Sequence, residues 1–306
     1  MRGGAFALGA YLLWGVLPLY FLMLEPTGPW EVVAWRVLLS LVFCAALVTV
    51  TRGWPALVAI LRTPRRLWWT AVAGVLVYVN WQVFVLATLT GHVIETSLGY
   101  FINPIVTVLL GVLVLRERLR VAQWIAIGVA AVAVGVIVVG YGAFPWIALA
   151  LAFSFGLYGL VKKHIGPTVD AVSGLTLETM WLTPVAAAQL AVVATTAGLT
   201  MGTAGAGHAT LLLLAGVVTA VPLLLFAAGT RRVPLSLIGL LQFVTPIMQF
   251  ITGAWLLGEP MSSQRWAGFA LVWIALAVLT ADSLVSVRRG HRAARAESPS
   301  DLADLT

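Results

Sequence analysis

The 306-residue sequence predicts an all-α membrane protein of ten transmembrane helices, arranged as two inverted five-helix repeats. Three observations carry that prediction: an apolar composition, ten apolar runs of spanning length, and a self-similarity at one fixed offset, the one that carries Pro104 onto Pro246. Hydrophobic residues make up 61% of the chain and charged residues 9%, against about 25% charged in a water-soluble domain. With so few charges, both halves belong in lipid rather than water. Cys44 is the single cysteine and lies inside an apolar run, which excludes an internal disulfide and a thiolate metal site.

A membrane helix needs roughly 20 mostly apolar residues to cross the hydrocarbon. Runs that meet this cover 5–24, 31–51, 69–89, 95–115, 121–140, 145–163, 172–197, 209–229, 235–257 and 264–287. The first follows Met1-Arg2 and has the outline of a secretory signal. No small-residue cleavage site ends it and many spans follow, so it reads as a retained helix. Breaker-rich connections separate the runs, such as Glu25-Pro26-Thr27-Gly28-Pro29 and Gly198 through Gly207. Trp30, Trp54, Trp68, Trp69, Trp124, Trp146 and Trp266 fall near the ends, where amphipathic rings favour the headgroup layer. Residues 288–306 form a polar tail, expected to be disordered and cytoplasmic.

Of the 18 Lys and Arg residues, 16 fall at the N-terminus, in alternate connections or in the tail, all on one side of the predicted topology. Arg265 alone lies on the other side, and Arg36 is inside a span. By the positive-inside rule both termini are cytoplasmic, in a multi-pass protein of the inner (plasma) membrane. The net charge of +7 is therefore a topology signal. The lipid bilayer is the expected partner, and nucleic acid is not.

The shift that places Pro104 on Pro246 also places Gly111 on Gly253, Glu117 on Glu259 and Trp124 on Trp266. Phe101 meets Phe243, and one helix earlier Gly74 meets Gly216, Phe84 meets Phe226 and Thr88 meets Thr230. The repeats are 5–140 and 145–287. Each holds an odd number of spans, so the second must enter the membrane from the opposite side.

Polar side chains inside spans must find partners, which makes them the informative ones. Arg36 and Glu178 occupy equivalent places on helices 2 and 7 with opposite charge. An unpaired Arg at mid-bilayer costs about 3 kcal/mol on insertion scales, so the two are expected to pair or to share a cavity. The pair is either a static tie between the halves or a group coupled to substrate or proton. On helix 4, Tyr100, Asn103 and Thr107 share one face, and the shift carries them to Gln242, Thr245 and Gln249 on helix 9. Pro104 and Pro246 sit beside these stripes, and each removes a backbone donor. The stripes either line a small-molecule site or glue the bundle at about 0.6 kcal/mol per contact, and their duplication favours the site. Asn80 and Thr88 share a face of helix 3, and Asn80 joins the stripes as a candidate substrate-binding residue. Glu95, near the outer end of helix 4, is either a wetted vestibule residue or a carboxylate poised for proton exchange.

The string Glu95-Thr96-Ser97-Leu98-Gly99-Tyr100-Phe101-Ile102-Asn103-Pro104, the Asn80-Trp81 pair and Glu178-Thr179-Met180-Trp181 resemble the RarD branch of the EamA transporters. These belong to the drug/metabolite transporter superfamily, and the resemblance covers about residues 5–287. It implies a ten-helix plasma-membrane carrier in which helices 3, 4, 8 and 9 line a central cavity. The branch is linked by name to chloramphenicol sensitivity. Two positions depart from its pattern. Helix 4 ends Leu115-Arg116-Glu117 where relatives have Gly-Glu, and Trp35 precedes Arg36 where some members have His.

The expected function is secondary transport of a small organic solute, a metabolite or drug-like compound, by alternating access, with efflux favoured. A non-transporting receptor or assembly subunit is the alternative. No enzyme activity and no cofactor are expected. The four histidines have no ligand spacing, and no Gly-rich loop ending Gly-Lys-Ser/Thr is present to bind a nucleotide. Proton coupling and a homodimer are left open by the sequence.

Overall fold

In lipid a chain must satisfy its own backbone, and helices do so within each span. The computed structural model describes residues 2–115, 121–141, 144–230 and 241–296, and these contain helices and no strands. The helices are α1 (Arg2–Leu22), α2 (Pro29–Val50), α3 (Trp54–Leu61), α4 (Pro64–Leu89), α5 (Val93–Leu115), α6 (Val121–Tyr141), α7 (Trp146–Ile165), α8 (Ala171–Thr196) and α9 (Ala206–Thr230). They are followed by α10 (Val244–Ile251), which widens into a π turn over Thr252–Leu256, and by α11 (Ser263–Ala296). Among the described residues, six helices are long and apolar enough to cross a membrane: α1, α2, α4, α8, α9 and the first 20 residues of α11. Val121–Val136, Trp146–Lys162 and Val244–Leu256 are shorter apolar stretches. Arg116, Glu117, Arg118, Arg120, Arg231, Arg232 and residues 297–306 lie outside the described residues.

Two elements differ from the sequence expectation. The connection after α2 contains the short helix α3, opened by Pro55 in its first turn, where a missing N–H costs nothing. Leu57 and Ile60 on α3 are buried against Val48, Ile165, Val169 and Leu177, so the connection lies on the bundle instead of hanging from it. The last helix also runs on to Ala296, so residues 288–296 are helical rather than tail-like. Arg and Ala, frequent in that segment, are strong helix formers.

The packing is reciprocal. α2 lies against α8, α5 against α10 and α6 against α11. Between these, α1 packs on α9 and α10 while α7 packs on α4 and α5; α2 also meets α9, as α8 meets α4. The helix starts keep the repeat offset: Pro29 of α2 corresponds to Ala171 of α8, Pro64 of α4 to Ala206 of α9, and Val121 of α6 to Ser263 of α11. Two glycines permit close approaches at equivalent crossings. A Cβ on Gly74 of α4 would stand 3.1 Å from the Glu178 carbonyl oxygen on α8. On α9, a Cβ on Gly216 would run into the main chain of Leu39 on α2.

Candidate functional site

Arg52 and Arg62 in the α2–α4 connection, Arg65 and Arg66 at the start of α4 and Lys162 near the end of α7 define a basic face. The connections α1–α2, α4–α5, α8–α9 and α10–α11 define the far face. Arg36 lies seven residues into α2, counted from Pro29 at the far face; Glu178 lies seven residues into α8, counted from Ala171 at the basic face. Each is thus about 10 Å in from its own helix start. The helices touch and run in opposite directions, so the two residues sit at different depths. The expected Arg36–Glu178 pair does not form. Equivalence under an inverted repeat exchanges the two faces, and it places equivalent residues together only at mid-depth.

Glu178 is fully buried and neutralised locally. Its Oε1 accepts from Lys162 Nζ at 2.7 Å and its Oε2 from the Tyr158 hydroxyl at 3.1 Å, both on α7. Lys162 thus serves as a counter-ion as well as a basic-face marker.

Arg36 is 4% exposed. Its Nε donates to Thr219 Oγ1 on α9 at 2.7 Å. The guanidinium carbon lies 4.4 Å from the ring centroid of Trp81 on α4 and 5.3 Å from that of Phe21 on α1. Its Nη1 is buried with no hydrogen-bond partner, as is Ser40 Oγ one turn along the same face of α2. Among the described residues no carboxylate reaches ion-pair distance of Arg36. Glu31, on the same helix, is engaged elsewhere: it accepts from the Thr200 and Met201 amides at 2.9 and 3.2 Å and from the Trp35 indole at 3.2 Å.

A file of ring contacts joins the two charged positions. Phe21 meets Phe84, Phe84 meets Tyr100, Tyr100 meets Phe155 and Phe155 meets Tyr158, with centroids 5.8 to 6.0 Å apart. The Tyr100 hydroxyl donates to Asn80 Oδ1 at 3.2 Å, and Asn80 Nδ2 donates to Ser154 Oγ at 3.2 Å and to the Leu151 carbonyl at 3.3 Å. The predicted residues Asn80 and Tyr100 therefore do come together, at a three-helix junction of α4, α5 and α7.

The rest of the stripes are spent largely on packing. Asn103 Nδ2 donates to the Ala152 carbonyl on α7 at 3.0 Å. Its counterpart Thr245 donates to the Tyr11 carbonyl on α1 at 2.8 Å. Gln249 donates to the Trp14 carbonyl at 3.4 Å and accepts from Thr96 at 3.4 Å. Thr107 is exposed and bonds back to the Asn103 carbonyl at 2.9 Å; Gln242 is half-buried. Thr88 bonds back to the Phe84 carbonyl of its own helix.

Far-face ends are tied by carboxylates that sequence reasoning did not single out for this role. Glu259 accepts from the Val93 and Ile94 amides at 2.6 and 2.9 Å and so caps α5. Burial pushes its carboxyl above the ordinary value of 4.5, against the opposing pull of those two amides. Glu95 reaches Arg265 at 3.7 Å beside it. The signal for Glu259 was present in its repeat match to Glu117; that for Glu31 was a lone acid in a first turn. A cavity of 680 Å³ opens between the far-face ends of α2 and α8, lined by Trp30, Glu31, Gln189, Thr196, Thr200 and mostly apolar residues, and it includes none of the expected site residues. Among the described residues no three His, Cys, Asp or Glu side chains converge as metal ligands.

Comparison with known proteins bears on this geometry. Residues 1–139 match the model of the EamA-like transporter family. Protein RarD of Streptomyces exfoliatus is 43% identical over 98% of this chain and 95% of its own length. Protein RarD of Escherichia coli (strain K12) is 40% identical over 94% and 97%, and an uncharacterized transporter of Vibrio cholerae is 40% identical over 96% of each chain. A solved crystal structure with 18% identity superposes with a TM-score of 0.58 over 92% of this chain and 98% of that one, a likeness of fold alone.

Proposed function

The chain belongs to the EamA family of transporters, with RarD proteins among its relatives, and on that premise we propose a secondary carrier that exports a small organic solute by alternating access. Its frame is ten transmembrane helices in two inverted five-helix repeats, 5–140 and 145–287, in the inner membrane with both termini cytoplasmic. The observation that carries this reading is the reciprocal packing of helices whose starts keep the repeat offset. Two units of similar structure and opposite direction can exchange conformations, which turns a site between them from one side of the membrane to the other.

Within this frame the solute lies among Arg36, Asn80 and Tyr100, with Asn103 and Thr107 on the flanking α5 and Gln242, Thr245 and Gln249 at α10. Glu31 and Glu259 hold the far-face ends together through backbone amides, and opening to that face requires releasing them. The protein is a carrier rather than an enzyme.

Reconstitution into proteoliposomes tests the proposal. A panel of metabolites and drug-like compounds is offered with a pH gradient imposed and then collapsed. Saturable flux with counterflow is the expected result. Absence of flux across the panel sinks the carrier reading, and flux without saturation marks a passive pore. Flux indifferent to the gradient removes Glu95 and Glu178 as proton carriers.

A further inference from the structure

We propose that Arg36 is the anchor for an anionic group of the solute, so that the carried compound is an organic acid with an apolar, planar body; this rests on the transport reading above. Helices from both halves converge on the guanidinium, and what they present is uncharged. Thr219 comes from α9, Trp81 from α4 and Phe21 from α1.

A buried cation without a counter-charge is strongly disfavoured, and proteins ordinarily place an acid beside it. This chain has two buried carboxylates on the helices that pack there, and it uses both elsewhere. Glu31 holds the Thr200 and Met201 amides, and Glu178 holds Lys162 and Tyr158. One hydroxyl and two ring faces ease the charge on Arg36 but do not cancel it. Its Nη1 and the neighbouring Ser40 Oγ are both left without partners.

A carboxylate answers all of these together. It brings one negative charge and two acceptor oxygens that fit the planar fork of a guanidinium. Lys would not supply that geometry. The rings of Phe21, Phe84 and Tyr100 continue away from Arg36 and match the flat body of an aromatic acid better than a branched or highly hydroxylated one. Meeting residues of both repeats, such an anion would also be felt by both when they move.

The test uses the full chain in lipid nanodiscs and needs no transport. Acid and amide pairs serve as probes: phenylacetate with phenylacetamide, 3-phenylpropionate with its amide, indole-3-acetate with its amide, and octanoate with octanamide. Acetate and chloride serve as small-anion controls. Binding is read by thermal shift and by equilibrium titration. Aromatic acids are expected to raise the unfolding temperature while their amides do not. Arg36→Gln should lower acid affinity by about ten- to a hundredfold, the range of a charge-assisted hydrogen bond, and bring acid and amide level. Thr219→Val, which keeps the charge and frees Nε, should leave the acid preference in place and covers the case in which Arg36→Gln does not fold. The proposal is overturned if no acid binds, if amides bind as well as acids to the wild type, or if Arg36→Gln keeps the wild-type acid affinity. Equal stabilisation by chloride or acetate overturns the organic body. Acid binding without flux in proteoliposomes removes the transport reading and keeps the anion site; saturable flux of neutral solutes alone does the reverse.

Discussion

Glu178 and Arg36 each lie seven residues into helices whose starts keep the repeat offset, yet among the described residues only Glu178 finds a counter-charge. Its partner Lys162 stands on α7, and Tyr158 completes the coordination. Around Arg36 stand Thr219, Trp81 and Phe21, and the repeat offset carries Lys162 onto Tyr20 and Tyr158 onto Val16, neither of which bears a charge. A charge compensated by its own chain contributes to the fold, and its energy is spent before any ligand arrives. One left uncompensated keeps its energy available for an anion from outside. Helices α2 and α8 thus carry charges at matching positions and differ in whether the described residues compensate them.

The largest expected effects test that distinction directly. Lys162→Met strands a wholly buried carboxylate and should cost about 3–5 kcal/mol, the range for removing one member of a buried pair. Glu178→Gln should cost less, about 1–2 kcal/mol, because the Lys162 side chain is 29% exposed and can turn to water. Arg36→Met should cost less than either, since it removes a charge that the protein does not neutralise. Denaturation in detergent micelles ranks the three. A loss at Arg36→Met as large as at Lys162→Met would erase the contrast.

Next in size are the glycines at the equivalent crossings. Gly216→Ala drives a methyl into the Leu39 backbone, which cannot swing aside, and should cost about 1–3 kcal/mol. Gly74→Ala meets the Glu178 carbonyl at 3.1 Å and should cost under about 1 kcal/mol. Melting temperatures of the two variants decide whether α2 is held more tightly by α9 than α8 is by α4. The smallest effects belong to the stripes. Asn103→Leu and Thr245→Val each remove one interhelical hydrogen bond, about 0.6 kcal/mol. Equal small losses in stability with unchanged solute affinity would assign both to packing. A selective loss of affinity at Asn103 would return it to the solute site.

The helices were legible because lipid leaves a chain few choices. Runs of about 20 apolar residues must become helices, so expected spans such as 31–51 and 172–197 match α2 and α8 to within two residues. Departures came where the local signal was weak. Trp54–Leu61 is too short to read as a span, and its helix shows only through what it packs on. Among the polar residues, Asn80 and Tyr100 were each expected at the site, on separate helices, but their contact was not readable. That Asn103 and Thr245 would spend their side chains on the Ala152 and Tyr11 carbonyls was not readable, because a backbone carbonyl carries no sequence signature.

By itself the amino-acid sequence determined that the chain is a helical membrane protein, where its main spans run, and which charged and amide side chains are carried into lipid. Those follow from transfer energies and periodicity, which are local properties. Tertiary structure alone decided the partners: that Glu178 meets Lys162 rather than Arg36, that Glu259 caps α5, and that Arg36 is ringed by uncharged groups. Partnership depends on depth and on helix rotation. A repeat offset fixes which residues are equivalent, whereas antiparallel packing fixes how far apart equivalent residues lie.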